Sequence, residues 1–465
     1  MISEFQVRCS RFEVVEFLKL HFLLTSHDSR LITFNFELRT SNIIPNPYFC
    51  GHMVNDQPFI SFDNTETAFA HKSNKELRGA HWLFSTMKRD WLVKLGTLVT
   101  PWAIKAGLPI KGLIRKTIFE QFVGGEDLEE TARVAKKLAA SNVSVILDYG
   151  VEGKEGEENF DHASEEFIRV INYAATQPNI PFMSVKVTGF ARFSLLEKLD
   201  SLMEASTGTL MSRFTKSLDQ LTSEERAEWQ RVENRMDKIC SAGREKRVGV
   251  LIDAEESWIQ DPVDALTMLM MDRLNKERAI VYNTLQFYRH DRLQFLKDCH
   301  EAASQRNFIL AVKFVRGAYM EKERKRAVIM QYPSPIQANK SSTDKDFNAA
   351  VKYSIEHLDR IAIIIATHNE YSNICATQNL RGKGLPLNHK HVHFSQLYGM
   401  SDHITFNLAK AGCSVSKYLP FGPIKDVIPY LMRRAQENTS VGGQTSRELS
   451  LIKKELQRRG VRNVE

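Results

Sequence analysis

The chain has 465 residues, 43% hydrophobic and 26% charged, which gives it a sizeable core and excludes wholesale disorder. Its 63 Lys+Arg against 56 Asp+Glu leave a net charge of only +7, and basic stretches such as Glu321–Arg326 are interleaved with acids, so binding to nucleic acid is not expected. Six scattered cysteines without a Cys-x-x-Cys pair exclude a disulfide scaffold and suit buried thiols in a reducing compartment.

The start of the chain lacks a basic n-region, and no apolar run approaches the roughly 20 residues of a membrane span. A cytoplasmic protein is expected, at most peripheral on the inner face of a membrane beside anionic lipid. Residues 1–58 show no sustained periodicity and are broken by Pro45-Asn46-Pro47, so they read as an N-terminal extension of unassigned order, with Met53 as an alternative initiator. Residues 59–125 read as a helical arm, because Leu83, Met87, Trp91 and Leu92 recur at helical spacing and Pro101 and Pro109 divide the segment.

From residue 126 to 465 short β-branched runs alternate with longer amphipathic stretches. The runs are Val143–Leu147, Phe182–Val187, Val248–Ile252, Ala279–Tyr282, Phe308–Val312, Ile361–Ile365, His391–Phe394 and Ser414–Tyr418. Eight near-continuous apolar runs joined by helices predict parallel strands buried on both faces, in a (βα)8 barrel with a helical insertion at about 190–246. A doubly wound open sheet is the rival arrangement. In a barrel, chemistry gathers at the C-terminal strand ends. There stand Asp148, Lys186, Asp253, Gln286, Lys313, Thr367-His368-Asn369, Gln396 and Tyr418. A purely structural barrel needs no charge at nearly every strand end.

Neither a Gly-x-Gly-x-x-Gly fingerprint after a strand nor a Walker loop occurs, and Gly150, Gly153 and Gly156 lie in an acidic stretch that would repel phosphates. His389, His391 and His393 alternate as strand residues on one face do, a zinc-like pattern. They enter the seventh strand from its N-terminal side, however, so local packing or exposure is the preferred reading and no metal is expected. Ala311–Tyr319 ends an apolar strand in Lys313 and Arg316, then Gly317 and Ala318. Such a turn can hold a diphosphate, or it is an ordinary basic turn opening a helix. Arg433 and Arg434 near the end of the last helix can clamp a carboxylate, or pair with Glu437 on the surface.

Taken together, these segments resemble the proline dehydrogenase family. Tyr418-Leu-Pro-Phe-Gly-Pro423 followed by Tyr430-Leu-Met-Arg-Arg-Ala-Gln-Glu-Asn438 is similar to its terminal signature. Lys313-Phe-Val-Arg-Gly-Ala-Tyr319, Ala366-Thr-His-Asn369 and Phe394-Ser-Gln-Leu-Tyr-Gly-Met400 match its other blocks in order, and the likeness covers residues from about 60 to 460. The resemblance implies a distorted (βα)8 TIM-type barrel holding FAD without covalent attachment. It implies oxidation of L-proline to Δ1-pyrroline-5-carboxylate, the first step of proline catabolism to glutamate, with electrons passed to a quinone. The stretch after Asn438 is too short for an aldehyde dehydrogenase, so a separate pyrroline-5-carboxylate dehydrogenase is implied as a partner.

The same resemblance assigns residues. Lys186, Arg433 and Arg434 would bind the substrate carboxylate, and Glu152 would pair with the first arginine and help close the site. Asp253, Lys313 and Tyr418 would form the catalytic group, with Leu397 packed beside the substrate. Ala254, Gln286, Lys313, Val315, Arg316, Gly317, Ala318, Thr367, His368 and Glu437 would hold the flavin. Lys313 stands where many relatives have Arg, which turns a bidentate contact into a single one. Met320 stands where several relatives place Trp. A hydroxyproline dehydrogenase on the same scaffold is the alternative, which the bulk of Tyr418 disfavours. A barrel that has lost catalysis and only binds is disfavoured by the intact charged set.

Overall fold

The β-branched runs form eight parallel strands in the computed structural model, which describes residues 60–88, 111–150, 155–440 and 442–461 (backbone only at 436–440 and 442–444). They are β1 Ser144–Tyr149, β2 Phe182–Val185, β3 Gly249–Ile252, β4 Val281–Gln286, β5 Leu310–Val315, β6 Ile361–Ala366, β7 Val392–Leu397 and β8 Val415–Phe421. Each pairs with its neighbour in sequence, and β8 closes on β1, so the sheet is a barrel and not an open doubly wound sheet. Most strand residues are buried because helices cover the outer face while the inner face fills itself.

Strand register decides which side chains enter the barrel. Phe182 pairs with Gly249, Leu251 with Tyr282, Thr284 with Lys313, Lys313 with Ile364, Ile364 with His393, and Leu397 with Tyr418. Residues two apart share a face. The inner face therefore carries Phe182, Ser184 and Lys186 from β2 and its end, and Gly249, Leu251 and Asp253 from β3. Its floor is aromatic. Phe182 meets Tyr282 with ring centroids 5.6 Å apart and His393 at 5.0 Å. Gly249 makes that floor fit, because a Cβ there would come within 2.5 Å of the Phe182 ring. Above the floor the interior turns polar.

Between β2 and β3 stand three helices, Phe193–Glu204, Leu210–Leu218 and Ser223–Lys246. The last opens with a capping box between Thr222 and Glu225. Outside the barrel, helices Thr65–Phe69 and Asn74–Met87 pack with the C-terminal helix Gly442–Arg458. This second core includes Leu77, Phe84, Phe122, Val427, Leu451, Ile452 and Leu456. The C-terminal helix, read from sequence with the barrel, thus shares its core with the arm. Among the described residues no helix is long and apolar enough to cross a membrane.

Candidate active site

The two-residue alternation brings side chains of four strands together near the barrel mouth. Lys313 of β5 donates to Asp253 Oδ1 at the end of β3, and both are largely buried. Strand β5 continues two residues past Lys313, so this side chain sits one layer below the rim and not at it. Tyr418 of β8 donates its hydroxyl to Asp253 Oδ2 at 2.8 Å, and Ser184 of β2 donates to Oδ1. The Lys313 ammonium also lies 5.4 Å from the centre of the Tyr418 ring. Burial pushes Asp253 up, but Lys313 and Lys186 outweigh it and hold this carboxyl below its ordinary value. Burial and the two nearby carboxylates push the Tyr418 phenol well above its own.

Lys186 caps the inner face of β2. Its ammonium is 3.7 Å from Asp148 Oδ1, with its side chain 28% exposed to the mouth. Burial opposes its charge, yet Asp148 and Asp253 raise its pKa. Burial and the charge of Asp253 push Asp148 upward, against the pull of Lys186. Two carboxyls, the buried Lys313 ammonium and the half-buried Lys186 ammonium thus meet in one pocket, where the charges compensate.

Arg433 and Arg434 are adjacent on helix Ile424–Ser440, about 100° apart around its axis. Arg433 is half-buried, and its charge acts with that of Lys186 on the Tyr319 phenol, which burial and Glu255 push up. Arg434 is buried over the Tyr430 ring at 5.1 Å and acts on His368. Leu397 pairs with Tyr418 in register and is half-buried beside it. Glu152 lies outside the described residues. Glu437 falls within helix Ile424–Ser440 at a position whose side chain is not described.

A second group surrounds the turn after β5. Val315 occupies the inner rim, while Gly317 and Ala318 are exposed. Gly317 has φ of +123°, and a Cβ there would meet the Tyr288 ring at 2.5 Å, so only glycine lets the backbone pass. The guanidinium of Arg316 is held by Asp344 at 2.7 Å, by Ser372 at 3.0 Å and by Thr367, and it stacks 4.4 Å from the centre of Phe347. Gln286 donates to the Glu255 carbonyl at 2.7 Å, which puts it beside half-buried Ala254. His368 Nδ1 is 2.9 Å from Ser401 Oγ, and burial with the charges of Lys417 and Arg434 lowers the imidazole to about 3, so it is neutral.

Two strand-end expectations are corrected. Gln396 faces outward, since the inner positions of β7 are His393 and Leu397; it accepts from Thr405 at 2.8 Å and donates to the Thr367 carbonyl at 3.2 Å. Asn369 is a helix cap, its side chain accepting from Ser372 N–H at 3.0 Å. Of the three histidines, His391 contacts the Leu358 carbonyl at 2.6 Å and His393 contacts Ser416 at 2.6 Å on the barrel floor.

Sequence reading missed Ser184, Thr188, Glu255 and Tyr319. Ser184 was findable as the residue two before Lys186 on the same face. Glu255 takes two hydroxyl contacts from Thr188, at 2.9 and 2.8 Å, and burial raises its carboxyl to about 7. Nothing local in the sequence links these two positions, which are far apart in the chain.

Comparisons with known proteins bear on the fold and the family. The model of the family described as proline dehydrogenase matches residues 131–447. The chain is 36% identical over 340 residues to the carbapenem antibiotics biosynthesis protein CarD of Pectobacterium carotovorum subsp. carotovorum, covering 73% of this chain and 83% of that protein. It is 34% identical over 385 residues to proline dehydrogenase 1, mitochondrial, of Dictyostelium discoideum, covering 76% and 67%. A solved structure of proline utilization A from Bdellovibrio bacteriovorus, inactivated by N-propargylglycine, shares the fold with a TM-score of 0.60 at 20% identity. The match covers 82% of this chain but only 39% of that one, so the chain spans about two fifths of the solved protein. With its family match spanning most of the barrel and its charged mouth in place, the chain belongs to the proline dehydrogenase family of oxidoreductases.

Proposed function

We propose that the protein is an FAD-dependent L-proline dehydrogenase that forms Δ1-pyrroline-5-carboxylate. The observation that carries this reading is the Lys313–Asp253–Tyr418 cluster beneath the cationic mouth of Lys186 and Arg433, in a barrel of this family. Proline offers a carboxylate, an amine and an apolar ring, and each meets a matching surface. Lys186, Arg433 and Arg434 take the carboxylate in a water-poor pocket. Leu397 and the Tyr418 ring pack against the pyrrolidine. Asp253, fixed by three donors, holds Tyr418 and Lys313 in place and presents negative charge where the amine gives up its proton.

The residues around the turn after β5 suit a flavin dinucleotide. Arg316 uses three of its five N–H groups within the protein, which leaves two for a diphosphate. The exposed backbone at Gly317 and Ala318 allows close approach, and neutral His368, with Thr367, Gln286, Ala254 and Val315, completes the lining. Bound FAD supplies the hydride acceptor for the C5 hydrogen of proline. The cation of Lys313 favours negative charge on the group beside it. Release of the electrons to a quinone, peripheral contact with the membrane that holds it, and passage of the product to a separate pyrroline-5-carboxylate dehydrogenase complete the reading; family resemblance supports these.

The purified protein should be yellow, and anaerobic L-proline should bleach the flavin band. A protein that takes up FAD but is not bleached by proline refutes the substrate. For 4-hydroxyproline, the Tyr418 hydroxyl pinned on Asp253 leaves little room for a ring hydroxyl, so kcat/KM should favour proline; a clear preference for hydroxyproline would overturn that choice.

A further inference from the structure

His368 does not stand alone behind the mouth. Its Nδ1 is 2.9 Å from the hydroxyl of Ser401, in the turn between β7 and helix Asp402–Lys410. Ser401 has φ of +51° and ψ of +44°, a left-handed conformation that a serine adopts only when its surroundings impose it. A contact that holds this backbone comes from the C-terminal helix, 47 residues further on. Glu448, in the C-terminal helix, accepts the backbone N–H of Ser401 at 3.0 Å. Ser401 and Glu448 are both buried, 4% and 6% exposed, so water cannot substitute readily for either contact.

Glu448 is itself anchored. Its Oε2 lies 3.7 Å from His403 Nδ1, and His403 Nε2 lies 3.1 Å from Glu370. Arg447 donates to Glu370 at 2.8 Å and to Asp63 at 2.8 Å. On the other side of the same turn, Asp402 pairs with Lys417 at 2.8 Å and with Lys72 of the arm at 3.0 Å. Lys417 immediately precedes Tyr418. The turn at 401–402 is therefore where the arm, the C-terminal helix and two active-site strands meet through polar contacts.

We propose that Ser401 and Glu448 are positioning residues for His368: the C-terminal helix, through the Glu448 carboxylate, holds Ser401 in its left-handed turn, and the Ser401 hydroxyl fixes the imidazole that faces the cofactor. A fixed Nδ1 contact sets the tautomer and ring plane of a neutral histidine and leaves Nε2 for the ligand. The assignment rests on the flavin reading above. It predicts that cofactor retention depends on a residue in the terminal helix that touches no ligand.

The test uses full-length holoenzyme and reads FAD released on dilution by flavin fluorescence. Ser401→Gly keeps the left-handed backbone and removes only the hydroxyl; it should raise the FAD Kd about tenfold. Glu448→Ala should do the same, while Glu448→Gln, whose amide oxygen still accepts the Ser401 N–H, should stay within about twofold of wild type. Arg447→Met, which loosens the same cluster without touching Ser401, should lower Tm and leave FAD retention unchanged. Wild-type retention in both Ser401→Gly and Glu448→Ala, or a loss in Arg447→Met equal to that in Glu448→Ala, overturns the proposal while the flavin reading stands. Wild-type protein that holds no FAD overturns the flavin reading and this proposal with it.

Discussion

Asp253 shows how a single residue is set by its neighbours. In isolation, burial would neutralise it; the Lys313 and Lys186 ammoniums keep it ionised. Asp253→Ala would strand Lys313, 4% exposed, without its closest counter-charge. A loss of about 3–5 kcal/mol is expected, read from the denaturant midpoint. Arg433→Met should raise the KM for proline more than about tenfold with a smaller effect on kcat, since it removes ground-state binding of the carboxylate; an unchanged KM would show the carboxylate to be bound elsewhere. Glu255 behaves in the opposite sense to Asp253. Burial raises it from 4.5 to about 7, so the folded protein holds a proton that the unfolded chain has released. Stability is therefore lost as pH rises from about 4.5 to 7, then levels off. Glu255→Gln should flatten this slope, gaining on wild type by an amount on the order of 3 kcal/mol across that window. Parallel pH–stability curves for the two proteins would disprove the assignment.

At the scale of elements, alternation along each strand is the governing fact. Shifting any strand by one residue would turn Lys313 or Tyr418 out of the barrel and bring Gln396 or Lys417 in. Turns are equally constrained. Gly399, with φ of +77°, lies against the end of the segment Glu120–Phe122, and a Cβ there would overlap the carbonyl oxygen of Gln121. Gln121 also donates to the Gly399 carbonyl at 2.6 Å. Gly399→Ala combines a strained backbone with a clash that no side-chain rotation relieves. It should cost about 2–4 kcal/mol in thermal or denaturant unfolding, whereas Gly384→Ala, in open space at φ of +67°, should cost less. Similar losses at the two sites would contradict the packing described.

For the whole molecule, the arm and C-terminal helix make a second core beside the barrel. That core borders the site, since it includes Leu431 of the helix that carries Arg434 and packs against Leu397, which pairs with Tyr418. A cofactor bound there stabilises the folded state by mass action, so a hundredfold excess of FAD over its Kd should add roughly 2.7 kcal/mol and raise Tm accordingly. The shift should shrink in Ser401→Gly at the same FAD concentration. An FAD-independent Tm would argue against a site on this face.

By itself, the sequence determined the eight strands, their parallel order and most of the charged mouth. Those features are written locally, in β-branched runs with a polar residue at or near the end of each, and all eight runs became strands. The family blocks around Lys313 and Tyr418 added the cofactor turn. Only the tertiary structure decided the rest. Register sent Gln396 outward and Lys313 one layer down, because alternation is counted from a pairing that a single strand does not contain. Ser184, Glu255 and Glu448 gained partners 69, 67 and 47 residues away. Such contacts depend on closing the barrel and folding the terminal helix back onto it. No local pattern records them, and closure fixes them all together.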